Sequence, residues 1–200
     1  MGISMGINNI VLKIAELNDG ILFTNEITAR DIPREYIRRA VESGLLENVK
    51  RGVYITKNSI PDDAFILQKQ YPKAIFSHET AGYYLGYTVR DPLVYSVTVP
   101  STYSTTALLK ARTEVYYAKT IDSADLVAAK TMFGREIVCF NIEKTICDLC
   151  SPRFSGDKDV ALEIVKTYAR SKGRNIPKLM RYATTEKVRK TVRNYMEVLL

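Results

Sequence analysis

The sequence predicts an α+β protein in two unlike parts. A small N-terminal domain is expected over residues 1–60, and a larger mixed α/β domain with a helical C-terminal end over residues 61–200. Three observations predict it. Apolar residues recur at helical spacing near both ends of the chain. Short β-branched and aromatic runs fill the middle. The polar break Lys57-Asn58-Ser59-Ile60-Pro61-Asp62-Asp63 separates the two parts. At 200 residues, 46% hydrophobic and 26% charged, the chain has enough apolar surface to bury a core, which excludes a wholly disordered protein.

The N-terminal part opens with apolar residues Ile7, Ile10, Val11, Ile14, Ala15 and Leu17, the pattern of an amphipathic helix, which Asn18-Asp19-Gly20 stops. Ile21-Leu22-Phe23 reads as a short apolar link. Thr24 is placed to cap a second, short helix anchored by Ile27. Asp31-Ile32-Pro33 marks a turn, with Pro33 suited to the first position of a third helix, Pro33 to Ser43, that Gly44 ends. Val49 and Val53 then flank a basic turn, Lys50-Arg51-Gly52, in a small β-hairpin. Helix, short helix, turn, helix and hairpin in this order are the layout of a winged helix-turn-helix.

In the larger part, helices are expected from about Asp62 to Gln70 and from His78 to Leu85, the latter capped by Ser77. Strands are expected at Ala74–Phe76, Val94–Val99, Val115–Ala118, Leu126–Met132 and Glu136–Phe140, with a polar stretch at Ser101–Thr106. Ile142 to Cys150 reads as a helix and Pro152 to Asp157 as a loop. Two or three helices follow from about Lys158. No internal repeat or low-complexity tract occurs.

Charge narrows the function classes. The net +7 is concentrated in residues 157–200, which hold 11 basic and 5 acidic residues, whereas residues 61–156 hold 10 of each. Residues 1–60 hold 8 basic and 7 acidic residues, yet five of those eight lie between Arg34 and Arg51. In a helix-turn-helix the second helix of the motif enters the major groove. On the expected third helix Ile37, Ala40 and Val41 gather on one side. Arg38 and Arg39 turn away from them, and Arg34 stands at the helix start. Arginine suits bidentate contact with guanine or phosphate. Lys50 and Arg51 would grip phosphate or the minor groove from the hairpin tip, where Gly52 permits the turn. Tyr54 is expected to pack beneath it. The bland alternative is a solvated helix face, with Glu35 and Glu42 pairing to the arginines. Lys187, Arg189, Lys190 and Arg193, on a last helix whose apolar face is Val188, Val192, Tyr195 and Leu199, form a possible second basic surface.

Catalytic and metal chemistry finds little support. No run of about eighteen uncharged apolar residues exists, so no membrane partner is expected. The start of the chain carries charge within its apolar stretch and lacks a small-residue cleavage site, unlike a signal peptide. Three cysteines argue against a disulfide framework and for the cytoplasm. His78 is the single histidine, which excludes a multi-histidine metal site; no nucleophile elbow accompanies it. Cys147 and Cys150 have zinc spacing but sit on an expected helix without a second pair, where a buried face is the simpler reading. Glu143 suits a first helical turn, and Asp148 a bond to nearby backbone. Tyr83, Tyr84, Tyr87, Tyr95, Tyr103, Tyr116 and Tyr117 read mostly as core, with Arg90, Lys110 and Arg112 as possible companions in an RNA-stacking surface. No cofactor is expected.

The N-terminal module ends in Gly44-Leu45-Leu46 followed by Val49-Lys50-Arg51-Gly52-Val53-Tyr54. This resembles the wing of the AbiEi antitoxins of type IV, abortive-infection toxin–antitoxin systems. Ile75-Phe76-Ser77-His78-Glu79-Thr80-Ala81 resembles the strand and helix start that open that family's C-terminal domain. Val97-Thr98-Val99-Pro100 resembles its central strand. Gly134 with Glu143-Lys144-Thr145-Ile146-Cys147-Asp148 resembles its glycine and following helix. The resemblance implies a non-enzymatic cytoplasmic antitoxin acting in phage defence. Its first domain would bind double-stranded promoter DNA as an autorepressor. Its second would antagonise a nucleotidyltransferase-like toxin, a functional partner held without a tight complex. Two alternatives stay open: a winged-helix regulator with a ligand-sensing domain, and a nuclease or transferase with a DNA-binding arm.

Overall fold

A computed structural model describes residues 10–199. The chain forms two compact units, Met1–Ile66 and Leu67–Leu200. This division falls inside a helix, Asp63–Gln70, that follows the polar break.

In the first unit, residues 10–16 are helical (α1) and bury Val11, Ile14 and Ala15. Ile7 lies outside the described residues. Ile10 and Leu17, expected on the apolar face, stay exposed, Leu17 by 71%. Ile21–Phe23 is a strand (β1), not a link, and it pairs antiparallel with the wing. All three residues are buried, so the alternation that marks a half-exposed strand is missing. Thr24–Thr28 (α2) is anchored by the buried Ile27. Thr24 is the first helical residue, not the cap: its N–H donates to the Gly52 carbonyl at 2.9 Å and its hydroxyl to the same oxygen at 3.3 Å. The Glu26 carboxylate accepts instead from the Phe23 N–H, at 3.4 Å.

Glu35–Glu42 forms α3, with Arg34 as its cap. It starts later than the expected Pro33. At its end Gly44, at φ +69°, lets Leu45 N–H turn back to the Ala40 carbonyl. Leu46–Lys50 (β2) and Val53–Thr56 (β3) make the hairpin, and the sheet order is β1-β3-β2. Leu22, Ile27, Ile37, Ala40 and Leu46 close one core with α1, and Tyr54 packs against it. The result is a winged helix-turn-helix.

The second unit is built on a five-stranded mixed sheet. Numbering the helix Asp63–Gln70 as α4, its elements in chain order are β4 Ile75–Phe76, α5 His78–Tyr84, β5 Tyr95–Pro100, α6 Thr106–Leu109, β6 Thr113–Ala118, β7 Leu126–Lys130, β8 Glu136–Phe140, α7 Ile142–Leu149, α8 Lys158–Arg170, α9 Ile176–Tyr182 and α10 Glu186–Leu199. The spatial strand order is β6-β5-β4-β8-β7. β4 runs antiparallel to β5 and parallel to β8, β5 and β6 are parallel, and β7 and β8 form an antiparallel hairpin. α6 grows out of the expected polar stretch because Leu108 is fully buried there. Asn141 and Asp157 cap α7 and α8 with their side chains. The C-terminal helices share a core of Ile146, Tyr168, Leu179 and Val192. On α10 the buried stripe is Val188, Val192 and Met196, spaced by four; Tyr195, expected on it, is turned outward.

Candidate nucleic-acid interface

The candidate interface lies on α3 and the wing. Burial of Ile37 and Ala40 fixes the rotation of α3 and turns Arg38 and Arg39 to solvent. Both arginines are engaged. Arg38 donates to Glu35 through Nε at 3.0 Å and reaches Glu42 at 3.3 Å, and Arg39 Nε lies 3.4 Å from Glu35. The hydrogen bond from Arg38, with the charges of both arginines, holds the Glu35 carboxyl below its usual range. Exposed pairs of this kind are weak and are weakened further by salt, so a phosphate can displace them. Arg34 differs: it is exposed at the start of α3 and has no ion-pair partner among the described residues.

The wing tip lies between Lys50 and Val53, which face each other across the hairpin after a register shift near Asn48. Gly52 has φ +74°, a conformation that a residue with a Cβ adopts only under strain. Its carbonyl is held twice by Thr24, so the tip is tied to α2. Arg51 is exposed there. Lys50 is also exposed, but its ammonium pairs with Asp63 at 2.5 Å. Arg34, Arg38, Arg39, Lys50 and Arg51 are thus all solvent-facing on one module, with Gly52 shaping the tip. The α3 and Lys50 pairings moderate its field.

The second basic surface is only partly formed as expected. Lys187, Lys190 and Arg193 are exposed on α10 with no ion-pair partner among the described residues. Arg189 is half-buried, and its Nε donates to the Ala183 carbonyl at 3.2 Å, closing the turn before α10.

The remaining candidates serve packing. Buried His78 begins α5 at φ +50° and stacks between Tyr116 and Phe154, with centroids at 3.6 Å and 5.7 Å. Ser77, expected to cap α5, accepts from Thr98 at 2.9 Å and meets His78 Nδ1 at 2.9 Å. Burial pushes the imidazole pKa down to about 3, with Lys144 adding to the shift. Cys147 is buried and Cys150 half-buried on the α7 face; burial raises both thiols to about 12. Glu143 is buried, with Lys178 at 3.0 Å and the Tyr168 hydroxyl at 3.4 Å. Asp148 is held by Lys144 at 2.5 Å, not by nearby backbone. Most of the tyrosines meet neighbouring rings at tilted or edge-on angles: Tyr84 and Tyr95 on Phe76, Tyr83 on Tyr84, Tyr87 on Tyr168. Arg90 is paired with Glu163 at 3.1 Å. Among the described residues no cluster of three or more His, Cys, Asp or Glu has metal-binding geometry. Nor is any helix among them long and apolar enough to cross a membrane.

Comparison with known proteins bears on both units. A family model described as "Transcriptional regulator, AbiEi antitoxin" matches residues 9–56, the winged helix-turn-helix. The N-terminal region is therefore similar to that of a regulatory antitoxin family, and the resemblance read in Ile75–Asp148 lies beyond the matched residues. No curated protein matches the chain. Among solved structures, the RV2827C protein from Mycobacterium tuberculosis has the same fold, with a TM-score of 0.66 at 14% identity over 94% of this chain and 75% of that one.

Proposed function

We propose that this protein is a DNA-binding antitoxin that represses its own promoter. The observation that carries the reading is the winged helix-turn-helix whose matched family is a regulatory antitoxin family, with Arg34 exposed and without an ion-pair partner among the described residues at the start of α3. α3 would enter the major groove with Arg34, Arg38 and Arg39, while Lys50 and Arg51 on the wing grip the flanking backbone. The ion pairs to Glu35, Glu42 and Asp63 exchange for phosphate contacts on binding, so affinity falls steeply with salt. Lys187, Lys190 and Arg193 add a long-range attractive field from α10.

The second unit would antagonise a nucleotidyltransferase-like toxin without a tight complex. Support for this half is the family resemblance of residues 75–148. The test is a gel shift on DNA from upstream of the protein's own gene, paired with a growth assay under expression of a toxin encoded beside it. Repression and rescue are the expected results. A protein that binds its upstream DNA no better than random DNA defeats the first half. Failure to relieve toxicity defeats the second.

A further inference from the structure

The wedge between the end of α7, α8 and α10 encloses a half-open cavity of about 400 Å³. That is within the range of small-molecule sites, about 300–1,000 Å³. Its lining is divided by chemistry. Leu149, Ala161, Leu162 and Val165 supply an apolar floor, and the ionisable groups besides Cys150 and Tyr195 are two lysines, Lys158 and Lys187. Among the described residues no carboxylate lines it. Lys158 is held in place: its ammonium donates to the Phe154 carbonyl at 2.7 Å and lies 4.2 Å from the Phe154 ring centre, leaving further donors unused. Lys187 has no ion-pair partner among the described residues. The Thr191 and Tyr195 side chains add hydroxyls on α10.

An apolar hollow bordered by two cations and no anion is complementary to one kind of ligand. An apolar body displaces water from the floor, and a single anionic group neutralises the lysines. We propose that this cavity binds a small amphipathic anion, an alkyl or aryl carboxylate, with its chain against Leu149, Leu162 and Val165 and its carboxylate between Lys158 and Lys187. Lys187 also belongs to the basic field of α10, but the test of this site needs neither DNA nor toxin.

The test is calorimetric titration of the full-length protein with sodium octanoate below its micellar concentration, with octanol as the uncharged control. One octanoate per chain is expected, with octanol weaker by about tenfold or more. Lys187→Glu should weaken octanoate by about tenfold or more, Leu162→Trp should abolish binding by filling the floor, and Lys172→Glu, an exposed lysine outside the lining, should leave it unchanged. Cys150 supplies a readout on the unaltered protein, because it lines the cavity while Cys139 and Cys147 are buried. Saturating octanoate should slow maleimide modification of Cys150, followed by peptide mass spectrometry. Equal binding of octanol, undiminished binding by folded Lys187→Glu, or unprotected Cys150 at saturation overturns the proposal, as does the absence of any octanoate binding. If a variant fails to fold, the octanol comparison and Cys150 protection still decide.

Discussion

His78 lies flat on Tyr116, ring centroids 3.6 Å apart and planes 21° from parallel. The hydrogen bonds around it set its proton. Ser77 accepts from Thr98, so its own hydroxyl proton is available to His78 Nδ1, which favours the neutral ring protonated on Nε2. A second proton on Nδ1 would break that chain and bury a charge between two aromatic rings.

Stability should therefore depend on pH through His78. Its pKa is about 3 in the folded protein, against 6.5 for the ordinary side chain. Between those values the unfolded chain binds a proton that the folded one refuses, so stability is full above about pH 6.5 and falls as pH is lowered. The slope approaches about 1.4 kcal/mol per pH unit. Glu79 and Asp148, both raised by burial, contribute with opposite sign above their ordinary values, so the share of His78 is read by comparing the parent with a His78 variant. Thermal denaturation at pH 7, 6 and 5 should show a falling Tm. His78→Asn, which tolerates the positive φ, should be less stable at pH 7 and should lose the part of the fall that His78 supplies. An unchanged slope in that variant would assign the effect to other groups.

The contact between α5 and α8 supplies a second prediction. A Cβ on Gly82 would lie well inside van der Waals contact with Cδ1 and Cγ1 of Ile164, which is itself fully buried. Gly82→Ala should cost about 1–3 kcal/mol through overpacking, although alanine is the better helix former. The double variant Gly82→Ala with Ile164→Val should recover part of the loss. Urea denaturation of the two variants checks both statements.

The sequence makes α3, the wing and the strand pair β7–β8 legible because each has a strong local signature: Ile37 and Ala40 at helical spacing, Gly52 at a basic tip, Gly134 between two apolar runs. Features set by tertiary packing are not legible in this way. β1 is hidden because Ile21, Leu22 and Phe23 are all buried, which leaves no alternation. Thr24 and Ser77 look like caps, yet each hydroxyl is drawn to a group distant in sequence, Gly52 and Thr98. On α10 the stripe chooses Met196 over its neighbour Tyr195, a rotation that only the packed core decides. At the candidate DNA surface the arginines were readable as outward-facing. The capture of Lys50 by Asp63 was not, because thirteen residues separate them.

Those ion pairs make the DNA surface separable by mutation. Glu35 binds both Arg38 and Arg39, so Glu35→Gln removes a negative charge, releases Arg39 and leaves Arg38 only its pair with Glu42. Affinity for any duplex should rise several-fold at low salt, with no gain in sequence discrimination. Arg34→Ala, and Lys50 with Arg51→Ala, should weaken binding and flatten the salt dependence by about one unit of slope per lost phosphate contact. Arg38→Ala should lose more on the operator than on random DNA if it reads a base. Gel shifts across a salt series measure all of these. Folded variants that bind like the parent would remove these residues from the interface.

The division of labour between the two units gives the last prediction, and α4 decides where to cut. Phe65, in the first turns of α4, packs on Phe23 with centroids 6.3 Å apart, and Asp63 holds Lys50 of the wing. Farther along the same helix, Gln68 accepts from the Val138 N–H at 2.6 Å and donates to its carbonyl at 2.8 Å, tying the helix to β8. A piece comprising residues 1–60 therefore lacks one ring of a buried aromatic pair. It should be unstable, since losing a buried phenylalanine costs about 3–5 kcal/mol and so small a domain has little to spare. Residues 1–72 should fold better and bind DNA, more weakly than the whole chain because the basic field of residues 157–200 is gone. Residues 61–200 keep α4 entire and should relieve the toxin without repressing the promoter. Circular dichroism on each piece, then a promoter-reporter assay beside a toxin growth assay, gives the comparison. Rescue by residues 1–72, or loss of rescue by a folded 61–200 piece, would show that antagonism does not reside in the second unit.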